Sequence, residues 1–113
     1  MSTVTANPSG ITLIEEELGG FGGFPDHLYL IDCGDGKFAC NNATMSDGTV
    51  LDGLATFPTP DDAMHYTGLL KGLNGELVKK SFEEAREIAK GKPRLNCVLL
   101  FVAGHIVEVH FVR

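Results

Sequence analysis

The sequence predicts a small α+β domain: an antiparallel or mixed sheet of five to seven strands, with two helices (about 60–71 and 82–90) on one face. Three observations carry this. Two helix starts stand at Thr59-Pro60-Asp61-Asp62-Ala63 and Ser81-Phe82-Glu83-Glu84-Ala85. Apolar, β-rich runs precede, separate and follow them. The chain then closes on a hairpin pattern, Cys97 to Val102 and Ile106 to Val112 about Gly104-His105. Both helices fall within residues 59–91, late in the chain. That placement favours one-sided coverage of a sheet over alternating βαβ units.

Taken in order, residues 1–10 are polar with Pro8 and Gly10, and read as a flexible tail before a single domain over 11–113. Ile11 to Leu18 fits a strand by its β-branched start or a short helix by its glutamates. Four glycines in Gly19 to Pro25 exclude a regular element. This segment reads as a loop that either tucks Phe21 and Phe24 into the core or offers them to a partner. It lacks the strand-to-helix setting and the spacing of a phosphate cradle. His27 to Cys33 and Lys37 to Asn41 read as strands about Gly34-Asp35-Gly36, because Asp-Gly suits the positive φ of a tight hairpin. Asn42 to Gly48 is polar and reads as a loop ending in an Asp47-Gly48 turn. Val50 to Phe57 reads as a strand interrupted at Asp52-Gly53.

Thr59 is an N-cap, with Pro60 at the first helical position and Asp61 and Asp62 at the positive end of the dipole. Ala63, Tyr66, Leu69 and Leu70 form the apolar stripe. A short strand follows at Glu76 to Lys79. Ser81 and Glu84 form a capping box. Phe82, Ala85, Ile88 and Ala89 face the core of the second helix, and Gly91 and Pro93 end it. Gly104-His105 reads as a two-residue turn, which leaves Glu108 and His110 on one strand face with Ile106 and Val112.

The 113 residues carry 43% hydrophobic and 21% charged residues and a net charge of −6. These values fit one folded domain and argue against a nucleic-acid partner. No apolar run reaches the roughly 20 residues of a membrane helix. Met1 to Pro8 has neither a basic nor an apolar segment, so the expectation is a cytoplasmic protein without a secretory signal or membrane contact. Residues 1–62 hold ten acids and one base, Lys37; residues 63–113 hold five acids and eight bases. This asymmetry fits internal balance, or an acidic face meeting a basic partner or a second copy. Lys79, Lys80, Arg86, Lys90, Lys92 and Arg94 form a basic run that reads as a solvated face or a site for an acidic surface.

Candidate chemistry is sparse. Cys33, Cys40 and Cys97 include no CxxC pair, so free thiols are expected. Cys33 and Cys40 are the candidate reactive thiols, and they could meet if their strands pair. Cys97 opens an apolar strand and reads as core. His27, His65, His105 and His110 show no zinc-ligand spacing, so no metal and no cofactor are expected. Asp32 to Gly36 matches a fragment of a calcium loop without its other ligands. No nucleophile elbow is present. The candidate binding residues are Phe21, Phe24, Asp32 and Asp35.

From about Leu54 to Val102 the order of elements is familiar: a strand, Phe57-x-Thr59-x-x-Asp62-Ala63 opening a helix, a short strand, Ser81-Phe82-x-Glu84-Ala85-x-x-Ile88-Ala89, then an apolar strand. This resembles the N-terminal domain of SseB-like proteins and related small bacterial proteins. The resemblance implies a fold and brings no catalytic residues. The expected function is a non-catalytic binding or regulatory module acting through protein contacts or self-association. A small cysteine enzyme using Cys33 or Cys40 with a histidine, and an acidic immunity-type inhibitor of a basic toxin, are the alternatives.

Overall fold

The computed structural model describes residues 23–45, 47–69 and 75–113, together with the strands at 5–6 and 11–14. Among these residues the elements are β1 (Thr5–Ala6), β2 (Ile11–Ile14), β3 (His27–Gly34), β4 (Lys37–Phe38), β5 (Cys40–Met45), β6 (Val50–Thr56), α1 (Pro60–Leu69), β7 (Glu76–Ser81), α2 (Phe82–Lys90), β8 (Cys97–Val102) and β9 (His105–Phe111). The fold is α+β with two helices, as expected, but the strands divide between two sheets. One is six-stranded and mixed, in the order β1-β2-β5-β6-β8-β9; the other is three-stranded, β4-β3-β7.

Ala39 explains the division. The chain runs extended through β4 and β5, and Ala39 sits between them. Its N–H donates to Ile31 O (3.0 Å) in the small sheet, and its own C=O accepts from Ala55 N (3.0 Å) in the large one. One continuous stretch thus changes sheets at a buried alanine. Tyr29 of β3 and Phe57 make a second bridge, exchanging N–H···O bonds of 2.7 and 2.9 Å.

The helices do not share a face, contrary to the expectation. Ala63 and Tyr66 of α1 pack with Cys97, Leu99 and Phe101. Ala85 and Ala89 of α2 pack with Val98 and with Leu54 of β6. Alternate residues of a strand point to opposite faces, so α1 and α2 cover opposite sides of β8. The sequence carried this signal: every residue from Cys97 to Phe101 is apolar, and all are buried. A strand covered on both faces shows no alternation.

Other boundaries moved for local reasons. β5 continues to Met45, where a polar loop was expected. Asn42 and Asp52 are register partners on β5 and β6, and the Asn42 amide donates to the Asp52 carboxylate, so these polar residues belong to a paired strand. The Asp47-Gly48 turn stands, closed by Asp47 Oδ1 accepting from Thr49 N at 2.9 Å. β6 is not interrupted at Asp52-Gly53. Gly53 is there for lack of space: a Cβ would fall 2.4 Å from Leu99 Cγ.

The last hairpin turns one residue early, at Ala103 (φ 51°) and Gly104 (φ 83°). Positive φ at both central residues fits a type I′ turn. Asp62 Oδ1 accepts from Ala103 N at 3.0 Å and ties the turn to the start of α1. A bulge shifts the β8–β9 register between Leu100 and Phe101. It separates Ile106, which joins the α1-side core, from Glu108, expected on the same face. Glu108 is buried and accepts from Gly23 N at 2.9 Å.

The caps fall where expected. Thr59 Oγ1 accepts from Asp62 N at 3.2 Å, and Ser81 with Glu84 forms a complete capping box. α2 buries Ala85 and Ala89 fully and Phe82 and Ile88 in part. Thr5–Ala6, within the expected tail, pairs with β2. The rest of residues 1–10, and the glycines at 19–22 with Phe21, lie outside the described residues.

Candidate functional site

A groove of about 520 Å³ opens between the β4–β5 stretch and the segment 91–95 that follows α2. Lys37 and Phe38 of β4, Cys40 and Asn42 of β5 and Asp52 of β6 form one wall; Lys92, Arg94 and Leu95 form the other. Its size lies within the usual range for ligand sites.

The 91–95 segment is fixed from three directions. Asn96 holds it to β6: its Oδ1 accepts from Asp52 N (2.9 Å) and its N–H donates to Asp52 O (2.7 Å). Arg113, just past β9, holds it from another side. Its guanidinium donates to the carbonyls of Leu95 (2.7 Å), Ala89 (3.3 Å), Lys90 (2.9 Å) and Lys92 (2.6 Å). A cation at the carbonyl end of α2 is also favourable to the helix dipole. Lys92 spans the groove: its Nζ donates to Gly36 O at 2.6 Å and stands 5.8 Å from the Phe38 ring centroid. Gly36 lies in the β3–β4 turn, where Gly34, Asp35 and Gly36 all have positive φ.

The charge of the groove opposes that of the chain. Lys37, Lys92 and Arg94 line it against the single carboxylate of Asp52, and that carboxylate is already engaged by Asn42. Among the described residues the ion pairs lie on α2, joining Arg86 to Glu83 and Glu87, and Lys90 to Glu87. None involves the three groove cations.

Cys33 and Cys40 are exposed and free, and Cys97 is buried and free. Each exposed thiol donates to a carbonyl two residues back: Cys33 to Ile31 O (3.8 Å) and Cys40 to Phe38 O (3.3 Å). Burial pushes the Cys40 thiol up, against a weaker pull from Lys92. The residue as a whole keeps solvent access, but its sulfur sits among enough protein atoms to disfavour thiolate. Burial raises Cys97 to about 12. On the far face of β5, Asn41 Nδ2 donates to the Tyr66 hydroxyl at 3.2 Å, and burial raises that phenol to about 12.

Among the described residues, those singled out from sequence do not converge. Phe24 is half-buried against the α2-side core, its ring centroid 5.0 Å from Phe82 and 6.3 Å from His110. Asp32 closes the hairpin end of β3, accepting from Gly34 N at 2.8 Å. Asp35 is an exposed turn residue with φ of 54°. Of the described candidates, Cys40 alone lines the groove. Lys37, Phe38, Asn42 and Asp52 also line it, though nothing in their local sequence marks them as site residues. A sequence signal existed in Lys92-x-Arg94 and in Lys37, the lone base of residues 1–62, but only the fold brings them together. Among the described residues no His/Cys/Asp/Glu cluster could hold a metal, and no helix is long and apolar enough to cross a membrane.

Compared with known protein families, with characterised proteins and with solved structures, the chain shows no significant match.

Proposed function

We propose that this protein is a non-catalytic binding module whose groove between β4–β5 and residues 91–95 receives an acidic segment of a protein partner. The observation that carries the reading is the convergence of Lys37, Lys92 and Arg94 on one groove in a chain of net charge −6. Cations without ion-pair partners, set in a cleft, attract a carboxylate-rich segment and orient it. Phe38 and Leu95 add apolar wall for the stems of acidic side chains. The anchoring of 91–95 by Asn96 and Arg113 supports a preformed site, which lowers the ordering cost of binding.

The cysteine-enzyme reading has Cys40 in the groove in its favour. The raised thiol works against it, because the thiolate is the nucleophile.

The test is fluorescence anisotropy of a labelled hexaglutamate peptide. Binding at low salt, weakened about tenfold in Lys37→Glu/Arg94→Glu, is expected. Both side chains sit on residues exposed at the surface, so the variant keeps its circular dichroism spectrum. Equal affinity for the variant and the unaltered protein, or no binding at low salt, overturns the reading.

A further inference from the structure

β7 ends the small sheet, and its backbone pattern matches itself. β7 pairs with β3 in the register Leu28↔Lys80, Leu30↔Val78 and Asp32↔Glu76. Among the described residues no strand lies on its other side. β9, the long edge strand of the large sheet, has β1 beside it.

Which β7 groups face outward follows from β3. Tyr29 spends its N–H and C=O on Phe57, and Ile31 O accepts from Ala39. In an antiparallel ladder both backbone groups of a residue point the same way, and the direction alternates along the strand. Leu28, Leu30 and Asp32 therefore point at β7, and their partners Lys80, Val78 and Glu76 point back. Leu77 and Lys79 turn their N–H and C=O groups outward. Leu77 is 41% exposed.

We propose that β7 is a self-association edge, pairing antiparallel with β7 of a second copy about a two-fold axis at Val78. This register places Leu77 opposite Lys79 of the other copy, and Lys79 opposite its Leu77. Every outward N–H and C=O of both residues then finds a partner. A register centred on Lys79 would instead set Leu77 against Ser81, whose N–H is already held by Glu84. The side chains agree. Glu76 lies opposite Lys80 of the other copy, twice, giving two cross-strand pairs of opposite charge. The Lys79 stem covers the exposed Leu77 side chain. A parallel pairing in register would set lysine against lysine, so the same residues oppose the alternative. The occupant is thus another molecule of this chain, and the result is a continuous sheet, β4-β3-β7 followed by its symmetry mate. An edge this short makes a weak, concentration-dependent dimer.

The experiment is sedimentation equilibrium of the full chain over a wide concentration range, with three variants. Leu77→Pro removes an outward N–H that no described residue accepts, and is expected to leave a monomer. Glu76→Lys places like charges across the interface and weakens the dimer about tenfold. Glu76→Lys/Lys80→Glu restores it. If Leu77→Pro does not fold, the charge pair decides. A monomer at every concentration overturns the proposal, as does a dimer unmoved by Glu76→Lys. Lys37→Glu/Arg94→Glu leaves the dimer unchanged, so this result is independent of the groove.

Discussion

At the scale of single residues, Gly53 shows most clearly how packing selects sequence. Dihedral freedom does not explain it; the glycine is there because Leu99 and Cys97 of the neighbouring strand occupy the space a side chain would need. A Cβ would meet Leu99 Cγ at 2.4 Å, Leu99 Cδ1 at 2.6 Å and Cys97 Sγ at 3.0 Å. Leu99 and Cys97 are themselves fully buried, so neither can swing away without opening the α1-side core. Gly53→Ala is expected to destabilise the protein by about 1–3 kcal/mol, the usual cost of overpacking. Urea unfolding measures this, and an unchanged midpoint refutes it. The sequence offered only "Asp-Gly", a pattern that turns and close approaches share, and so β6 read as interrupted. Cys97 was legible as core because it heads an apolar run.

At the scale of elements, the helices were the most legible parts, because their start signals are local. A capping box needs only Ser81 and Glu84, three residues apart, and both reciprocal bonds are present at 3.1 and 2.9 Å. The backbone N–H of Ser81, then its side chain, holds the Glu84 carboxyl below its ordinary range. A carboxyl with a depressed folded pKa stabilises fully above its unfolded value and loses that contribution as the pH falls through the folded one. The box therefore acts in full above the ordinary glutamate range and fades as the pH falls through the lower folded value. Ser81→Ala should cost about 1 kcal/mol at neutral pH. Ser81→Ala keeps the backbone N–H that the carboxylate accepts from, so the pH dependence is read on Glu84→Ala: its gap from the unaltered protein should narrow under acid, thermal melts from neutral to acid pH test it, and a constant gap contradicts the assignment. Strand partnership was less legible than the helices, because it depends on residues far apart in sequence. Nothing near Ala39 announces a change of sheet, and nothing near Val107 announces a bulge. The groove suffers from the same limit: Lys37 and Lys92 are 55 positions apart and meet only because β5, β6 and the segment after α2 pair and pack. The turn residues were legible where glycine forces positive φ, and misplaced by one at Ala103, where an alanine takes that conformation with help from Asp62.

At the scale of the whole molecule, two sheets and two apolar clusters raise the question of whether there are two folding units or one. The contacts argue for one. β3 gives Leu28 and Leu30 to the α2-side cluster and Ile31 to the α1-side cluster; β6 gives Leu54 to the first and Leu51, Ala55 to the second; β8 gives Val98 to the first and Cys97, Leu99, Phe101 to the second. Removing either cluster would strip one face from the same three strands and expose the backbone bonds that join the sheets at Ala39 and Tyr29. The chain provides a way to watch each side separately. It has no tryptophan and two tyrosines, and both tyrosines, Tyr66 and Tyr29, belong to the α1-side cluster. Phe82 packs against the α2-side cluster, beside Phe24 and His110, and is only half-buried, so Phe82→Trp should report that side alone. In urea, tyrosine near-ultraviolet circular dichroism and tryptophan fluorescence of this variant should trace one coincident transition, as a two-state domain requires. If the two signals gave separate midpoints, the sheets would be independent units, and β3, β6 and β8 would not couple them as their alternating side chains imply.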